Sequence, residues 1–342
     1  MTLRAKLDAE TGLYRVVDDI AGPLEEINAF LDAIHTRELS LLTVRAYAFD
    51  LAAVYRWLEV CGKRLESLTQ ADLLDFIAHE RRRKAQPASI NRRLTALRSL
   101  FEFWKPEGMA AGVGRNLPSP FYRGPGRDRN LGLYALKKRR TLKLKVKTPR
   151  KLVTPLTPRQ VNTYLSGLKR YRDIAIVHLM LFCGLRSREA LGLKTGDVCL
   201  LERRVKVWGK GGKERAVPLS RVVAESIELY AKHERPHSCE GDALFVCLHG
   251  KRRGRAMTPA GLRSIFRIKR KRSKVSNANP HRFRHTFGTD MARSGVTLPV
   301  LQKLMGHQSP EQTLQYINMS MSDIAQAYIE ASAKIRKIYD LD

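Results

Sequence analysis

A stretch rich in proline, glycine and basic residues, from 105 to 155, divides this sequence into two parts. Nine Pro or Gly residues between positions 106 and 126 interrupt any regular helix or strand. Between Arg123 and Lys151 the chain carries 12 Lys or Arg and one acid, Asp128. The apolar residues are too few for a core, and the stretch is long for a connection within one domain. It therefore predicts a basic linker between two folded segments.

The segment before the linker has helical periodicity from 23 to 107. Apolar residues recur at helical spacing in its first helix, as Leu24, Ile27, Leu31 and Ile34. Ser40 and Thr69 are suited to cap the second and third helices. A fourth helix covers about 89–104 and carries several arginines. The pattern predicts a four-helix domain with one basic helix.

The segment after the linker combines several helices with one hairpin. Thr157 followed by Pro158 has the residue types that open a helix. Arg204–Trp208 alternates apolar and basic residues, and a glycine-rich turn leads into a second strand at 213–219. The fold class predicted for the whole chain is mainly α with a small antiparallel β-sheet, as an N-terminal four-helix domain plus a C-terminal domain.

These patterns define five expected regions: a leader at 1–22, a helical domain at 23–107, the linker at 108–155, a second domain at 156–320 and a tail at 321–342.

Two shorter patterns lie outside the predicted domains. Within the linker, apolar residues and lysines alternate over 142–147, which predicts a short strand lying on a partner or on DNA. The tail carries apolar residues suited to docking on a neighbouring subunit, namely Ile324, Tyr328, Ile335 and Ile338.

The charge of the chain points to a polyanionic partner. There are 63 Lys or Arg against 33 Asp or Glu, a net charge of +30 and a pI near 10.3. Nucleic acid is the first candidate. An anionic membrane surface is a distant alternative, because the basic residues are spread over both domains rather than along one amphipathic helix.

Several other classes are disfavoured. No apolar run approaches the about 18 residues of a membrane span. The five cysteines form no CxxC pair, so neither a zinc site nor a disulfide framework is expected. The N-terminus lacks the apolar core of a signal peptide, which favours the cytoplasm, with association to the nucleoid of a bacterium or archaeon.

Six polar residues follow one another in the C-terminal half, each within a distinct local pattern. They are Arg186, Lys210, His281, Arg284, His307 and Tyr316. A phosphodiester resists attack by an anion, and its transition state carries extra negative charge. Guanidiniums stabilise such charge with paired hydrogen bonds. Ammonium, imidazole and phenol groups supply protons and a nucleophile. The combination suits attack on a phosphodiester by a tyrosine.

Taken singly, each of the six has a simpler interpretation. Arg186 can be a surface arginine that ends a helix, and Lys210 a solvated turn lysine. Tyr316 can be a tyrosine packed on an apolar helix face. His281 and His285 are spaced as a metal pair, but the glutamate of HExxH is absent and arginines surround them. No metal is therefore expected.

The ordered set of six resembles the tyrosine recombinase, or phage-integrase, family. The spacing of nine residues from His307 to Tyr316 matches the family's nucleophile position. The similarity covers about 23–107, which is similar to the core-binding DNA-binding domain, and 156–318, which is similar to the catalytic domain. The linker is longer and more basic than is usual in the family, and Phe283 replaces a common leucine.

The resemblance implies a site-specific recombinase or integrase. Tyr316 would form a 3′-phosphotyrosine bond and release a 5′ hydroxyl, while Arg186 and Arg284 hold the phosphate. Lys210 would protonate the leaving oxygen, with Lys213 as a rival. His281 would act as hydrogen-bond partner or base. His307 would be a second donor, and Glu189 would orient the site.

The resemblance also implies the partners. It implies no cofactor, metal or ATP, and a homo-tetramer acting on two double-stranded DNA sites, as for enzymes of mobile genetic elements. The need for an accessory protein stays open. Five further basic residues are candidates for DNA contact: Arg92, Arg93, Arg98, Lys213 and Arg215. Two alternatives stand beside this interpretation, a type IB topoisomerase-like enzyme and a DNA-binding architectural protein without catalytic activity.

Overall fold

The computed structural model describes residues 3–20, 22–104, 144–149, 154–209, 212–307, 309–314 and 316, with four isolated positions in the tail. The chain divides into two compact units at residue 150. Within the described ranges, no helix has both the length and the apolar character needed to cross a membrane.

The first unit contains the four predicted helices, α1 Glu25–Thr36, α2 Leu41–Cys61, α3 Gln70–Arg82 and α4 Pro87–Phe103. Both predicted caps are confirmed. The Ser40 hydroxyl accepts from the Thr43 amide, and Thr69 forms a capping box with Asp72. The apolar faces of the four helices meet in one core around Leu51.

A small antiparallel sheet precedes these helices, in the order β1 Arg4–Leu7, β2 Tyr14–Asp18 and β3 Gly22–Pro23. Val16 is fully buried in the helical core, and the Asn28 amide makes hydrogen bonds of 2.9 and 3.1 Å with its backbone. The segment predicted as a leader without regular structure therefore contributes to the core of this unit. The first and third strands are too short for alternation to be visible in the sequence, and the adjacent Val16 and Val17 interrupt the alternation of β2.

The second unit is built mainly from helices around a three-stranded sheet. Its elements are α5 Pro158–Ser166, α6 Tyr171–Phe182, α7 Ser187–Leu191, β4 Val198–Cys199, β5 Arg204–Trp208, β6 Glu214–Pro218, α8 Arg221–His233, α9 Pro259–Ser273, α10 Pro280–Arg293, α11 Leu298–Met305 and α12 Glu311–Leu314. The predicted hairpin is confirmed as β5 and β6, which pair from Arg204 with Pro218 to Trp208 with Glu214. The two-residue β4 was not predicted.

The apolar helix α6 lies at the centre of the second unit, against α8 and α10. Tyr164, Phe266 and Phe283 form an aromatic cluster at 5.1 to 6.0 Å between ring centroids. The mainly helical class with small antiparallel sheets is thus confirmed. A second cluster packs Phe287 of α10 against Leu301 and Met305 of α11.

Candidate active site

A sharp turn after α6 begins the site. Gly184 has a φ of +64°, and a Cβ at this position would lie 2.5 Å from the Phe287 ring. Only glycine satisfies both the backbone conformation and the close approach. The turn brings Arg186 to the start of α7, at the end of the buried core helix.

Glu189, on α7, is the centre of a cluster of guanidiniums. Its carboxylate accepts from Arg186 Nη1 at 2.8 Å and from the Arg186 backbone at 2.8 Å. Arg215 on β6 donates to both carboxylate oxygens, at 3.1 and 2.8 Å. Arg284 on α10 lies 3.6 Å from the same group. One carboxylate therefore aligns three arginines from three different elements.

Backbone carbonyls at the end of α11 hold the same three side chains. Arg284 Nη2 donates to the Met305 carbonyl at 2.7 Å, and Arg186 Nη1 donates to it at 3.3 Å. Arg186 Nη2 donates to the Gly306 carbonyl at 3.2 Å. Arg215 Nε donates to the Leu304 carbonyl at 3.1 Å. The last carbonyls of a helix have no partner within the helix and carry partial negative charge. They suit cations.

Burial does not neutralise these groups. Burial alone would raise the pKa of Glu189, but hydrogen bonds from Arg215 and Arg186 lower it to about 2. Burial and repulsion from Arg186 lower the pKa of Arg284 to about 10, which leaves it charged at neutral pH. The Arg186 side chain is 40% exposed and that of Arg284 is 3% exposed. Arg186 therefore offers the more accessible guanidinium.

His281 lies at the start of α10, where Asn279 caps the helix by accepting from the Arg282 amide at 3.0 Å. The residue as a whole is exposed, but partial desolvation of its ring, followed by repulsion from Arg284, Arg282 and Arg186, lowers its pKa. An imidazole with a lowered pKa is neutral at physiological pH. It can accept a proton there.

His307 and Tyr316 are stacked beside the arginine cluster. Their ring centroids are 5.8 Å apart with an interplanar angle of 12°. His307 Nδ1 makes a 2.8 Å hydrogen bond with Thr313 Oγ1, and burial followed by repulsion from Arg284 lowers the pKa of His307 to about 4. Tyr316 is buried, and its ring also lies 4.9 Å from that of His285.

Comparison with known protein families identifies the family to which this chain belongs. The N-terminal SAM-like domain of phage integrases matches residues 27–108, and the phage integrase family itself matches residues 154–323. The chain belongs to the phage integrase family of tyrosine recombinases.

Relatives match along most of the chain. Tyrosine recombinase XerC of Staphylococcus aureus is 27% identical over 314 residues, which covers 90% of this chain and 97% of the relative. The XerH site-specific recombinase in a post-cleavage complex with difH DNA superposes with a TM-score of 0.65 at 19% identity, over 89% of this chain and 86% of that one. The Tn1549 transposon integrase bound to transposon end DNA superposes with a TM-score of 0.63 at 21% identity, over 90% of this chain and 99% of that one.

Five of the six predicted site residues lie in the described part of this integrase-family chain. Arg186 and Arg284 share the Met305 carbonyl, and His307 stacks on Tyr316. Lys210 lies outside the described residues. Tyr316 was expected on a helix, whereas α12 ends at Leu314 and the Tyr316 amide donates to the Thr313 carbonyl in a turn.

The predicted DNA contacts on β6 and α4 differ in their exposure and in their partners. Arg215 has an 11% exposed side chain that pairs with Glu189, so the structure assigns it to the site rather than to the surface. Lys213 is exposed in the hairpin.

On α4, Arg92 makes hydrogen bonds of 2.6 and 3.0 Å with Asp50, and Arg93 pairs with Glu80. Arg98 is partly buried.

A basic groove next to His281 was not predicted as a unit. It encloses about 730 Å³ and is lined by residues of α7, α9 and α10. Its arginines are Arg188, Arg263, Arg267 and Arg270. The last three recur at i, i+4 and i+7, a spacing that places them on one helix face. That spacing is visible in the sequence, but it overlaps a run of four basic residues at 269–272, and the run is the more conspicuous pattern.

Proposed function

We propose that this chain is a site-specific DNA recombinase that cuts and rejoins strands with Tyr316 as nucleophile. One observation carries the proposal. Arg186 and Arg284 both donate to the Met305 carbonyl and both lie against the Glu189 carboxylate, next to the stacked His307 and Tyr316. Two fixed guanidiniums beside a phenol form the arrangement that phosphodiester attack requires.

The proposed step conserves atoms and charge. The Tyr316 oxygen forms a bond to phosphorus, and the bond from phosphorus to the 5′ oxygen breaks. The phenol proton passes to neutral His281, and Lys210 gives a proton to the 5′ oxygen. The energy of the broken bond is kept in the 3′-phosphotyrosine, so a 5′ hydroxyl of another strand can reverse the step.

His307 is proposed to donate to a non-bridging oxygen. Its lowered pKa keeps the ring neutral at physiological pH, so one nitrogen carries a hydrogen and the other accepts. In the tautomer in which the Thr313 hydroxyl donates to Nδ1, Nε2 carries that hydrogen and is available to the phosphate.

The basic groove beside His281 is proposed to receive DNA next to the cut phosphate. Its four arginines line one continuous surface with His281. Phosphate contacts of this kind give affinity and set register, while base edges supply sequence information. The net charge of +30 favours the same partner. We place the protein on DNA in the cytoplasm.

Covalent trapping tests the nucleophile. The protein is expressed in cells, lysed in SDS, and the protein-linked DNA is recovered and sequenced. We expect adducts at a recurring sequence from wild type, none from Tyr316→Phe, and wild-type amounts from Tyr328→Phe, whose ring is 73% exposed in the tail. Adducts that persist in Tyr316→Phe would mean that another residue is the nucleophile.

The same assay separates the alternatives. A type IB topoisomerase-like enzyme would form the adduct and relax supercoiled DNA without exchanging strands between duplexes. An architectural protein would bind DNA and form no adduct. The arginine cluster around Glu189 favours catalysis over simple binding, because buried aligned guanidiniums are unnecessary for contact with a duplex surface.

A homo-tetramer on two DNA sites is part of this proposal, with the tail as the docking segment. Deleting residues 323–342 should leave DNA binding near wild type and reduce recombination strongly, because cutting and binding residues are retained while subunit contact is lost. Gel shift and strand-exchange assays on one pair of DNA sites measure the two activities. Recombination equal to wild type would remove the tail, though not the tetramer, from the proposal.

A further inference from the structure

The chain just before residue 150 is attached to α4 by one asparagine. Asn91 accepts from the Val146 amide at 2.8 Å and donates to the Val146 carbonyl at 2.9 Å. Its amide nitrogen also lies 3.2 Å from Thr148 Oγ1. One side chain thus satisfies both backbone groups of a residue 55 positions away, as a neighbouring β-strand would.

The docked segment, residues 144–149, has two different sides. Leu144 and Val146 pack against the core of the first unit, whereas Lys145 and Lys147 are exposed. Neither ammonium has a hydrogen bond or ion pair with any residue that the structure describes. The apolar side and the Asn91 clamp therefore hold two lysines pointing away from α4.

Two of the arginines on α4, Arg92 and Arg93, are already paired with carboxylates. Asp50, which is buried, binds Arg92, and Glu80 binds Arg93. An arginine whose charge is balanced by a buried carboxylate contributes less to a phosphate contact than an unpaired cation. Lys145 and Lys147 of the docked segment have no such carboxylate partner among the described residues, so their charges are available to a phosphate.

We propose that Lys145 and Lys147 bind phosphates of duplex DNA, and that Asn91 is the positioning residue that presents them. The proposal rests on the DNA-binding function argued above. Side chains two residues apart on an extended chain project to the same side at a separation of about 6.6 Å. Along each DNA strand, successive phosphates are separated by about 3.4 Å in the direction of the helix axis. Two flexible lysines can therefore reach separate phosphates.

The number of phosphate contacts can be read from the salt dependence of binding. The probe is a fluorescein-labelled 30-base-pair duplex of mixed sequence, titrated with the full chain at several salt concentrations. Two lost contacts should reduce the slope of log K against log salt by about 1.8. Lys145→Ala/Lys147→Ala should therefore show this change, with affinity weaker on the order of tenfold near 0.1 M salt.

A matched control removes the same charge elsewhere in the unit. Arg4 and Lys6 on β1 both pair with Asp19, at 2.7 and 3.2 Å. Arg4→Ala/Lys6→Ala should leave the slope at its wild-type value. A slope reduced equally in both double variants would show that net charge alone matters, and would overturn the proposal.

Asn91 is tested by a double-mutant cycle. Asn91→Ala should weaken DNA binding in the wild-type background and have no further effect in the Lys145→Ala/Lys147→Ala background, because it acts through those lysines. Thermal unfolding of each variant checks that the unit stays folded. An additive effect would reduce Asn91 to a structural residue.

Two outcomes separate this inference from the proposed function. If the wild-type protein binds the duplex and the lysine variant has an unchanged salt slope, this inference alone is overturned. If the wild-type protein does not bind the duplex, the proposed function is overturned as well.

Discussion

At the scale of single residues, Gly306 shows how tightly the site is packed. It ends α11 with a φ of +62°, and a Cβ would lie 2.7 Å from Arg215 Nη1. The guanidinium cannot easily retreat, because Glu189 holds it on the other side. A methyl group here would therefore disturb the carboxylate that also aligns Arg186.

We predict that Gly306→Ala reduces adduct formation on the order of a hundredfold, the loss expected from misplacing a catalytic group by about 1 Å. Gly295→Ala is the matched control, since Gly295 has a φ of +80° and no atom within 4 Å of the added Cβ. Both variants should lose about 1–2 kcal/mol of stability from the left-handed backbone. Equal adduct yields from the two would contradict the argument.

Of the site residues that the sequence predicts, the structure brings Arg186, Arg284, His307 and Tyr316 together, and it adds Arg215, whose direction was missed. The six residues follow from their local patterns, because glycines, caps and basic residues stand at fixed places around them. Arg215 is predicted as a DNA contact, although it lies two residues from buried Val217 on β6 and therefore shares the inward-facing side of the strand. The charge of an arginine favours a surface position, whereas the period of this strand favours an inward one.

At the scale of elements, α10 contains a glycine where helix propensity favours almost any other residue. A Cβ on Gly288 would lie 2.8 to 2.9 Å from three atoms of the Tyr316 ring. The missing side chain leaves a recess on the helix surface, and the phenol ring occupies it. A weak helix former is retained at the point where the proposed nucleophile packs.

Gly288→Ala is expected to expel Tyr316 from this recess. Adduct formation should fall at least about tenfold, because the Tyr316 ring loses its position relative to Arg186 and Arg284. Reaction of Tyr316 with tetranitromethane, read by mass spectrometry, should rise. Gly261→Ala on α9, whose Cβ has contacts no shorter than 3.5 Å, should instead gain up to about 1 kcal/mol of stability. Unchanged tyrosine reactivity in Gly288→Ala would contradict the packing argument.

Elements were predicted well where they are long and capped. The helices of the first unit and the β5–β6 hairpin follow from periodicity and turn residues. β1, β3 and β4 were missed because elements of two to four residues show too few alternations, and β2 was missed because Val16 and Val17 interrupt its alternation. The end of α12 before Tyr316 was also missed, since the residues at 309–316 have a helical pattern of their own.

At the scale of the whole molecule, the chain has two separate cores, one in each unit. Burial, followed by repulsion from Arg284, lowers the pKa of His307 from its ordinary 6.5 to about 4. The unfolded chain then binds more protons, so stability falls as pH drops from about 6.5 toward 4. Glu189, whose pKa falls from 4.5 to about 2, acts in the same direction below pH 4.5. Both residues belong to the second unit.

We therefore expect two transitions in urea at pH 7, with the transition of the second unit moving to lower urea at pH 5. Circular dichroism and tryptophan fluorescence follow both. His307→Asn should lose part of this shift, whereas His35→Asn, an exposed position on α1, should retain it. An identical shift in His307→Asn and wild type would exclude His307 as its source.

The cluster around Glu189 has a consequence for how the folded molecule meets its target. Three guanidiniums face one carboxylate, which leaves an excess of two positive charges inside a largely buried space. Like charges fixed this closely repel, and the fold carries that cost for as long as the space lacks a counter-ion. At the proposed site, a backbone phosphate would supply the missing negative charge. The substrate would then also stabilise the arrangement of the side chains that bind it.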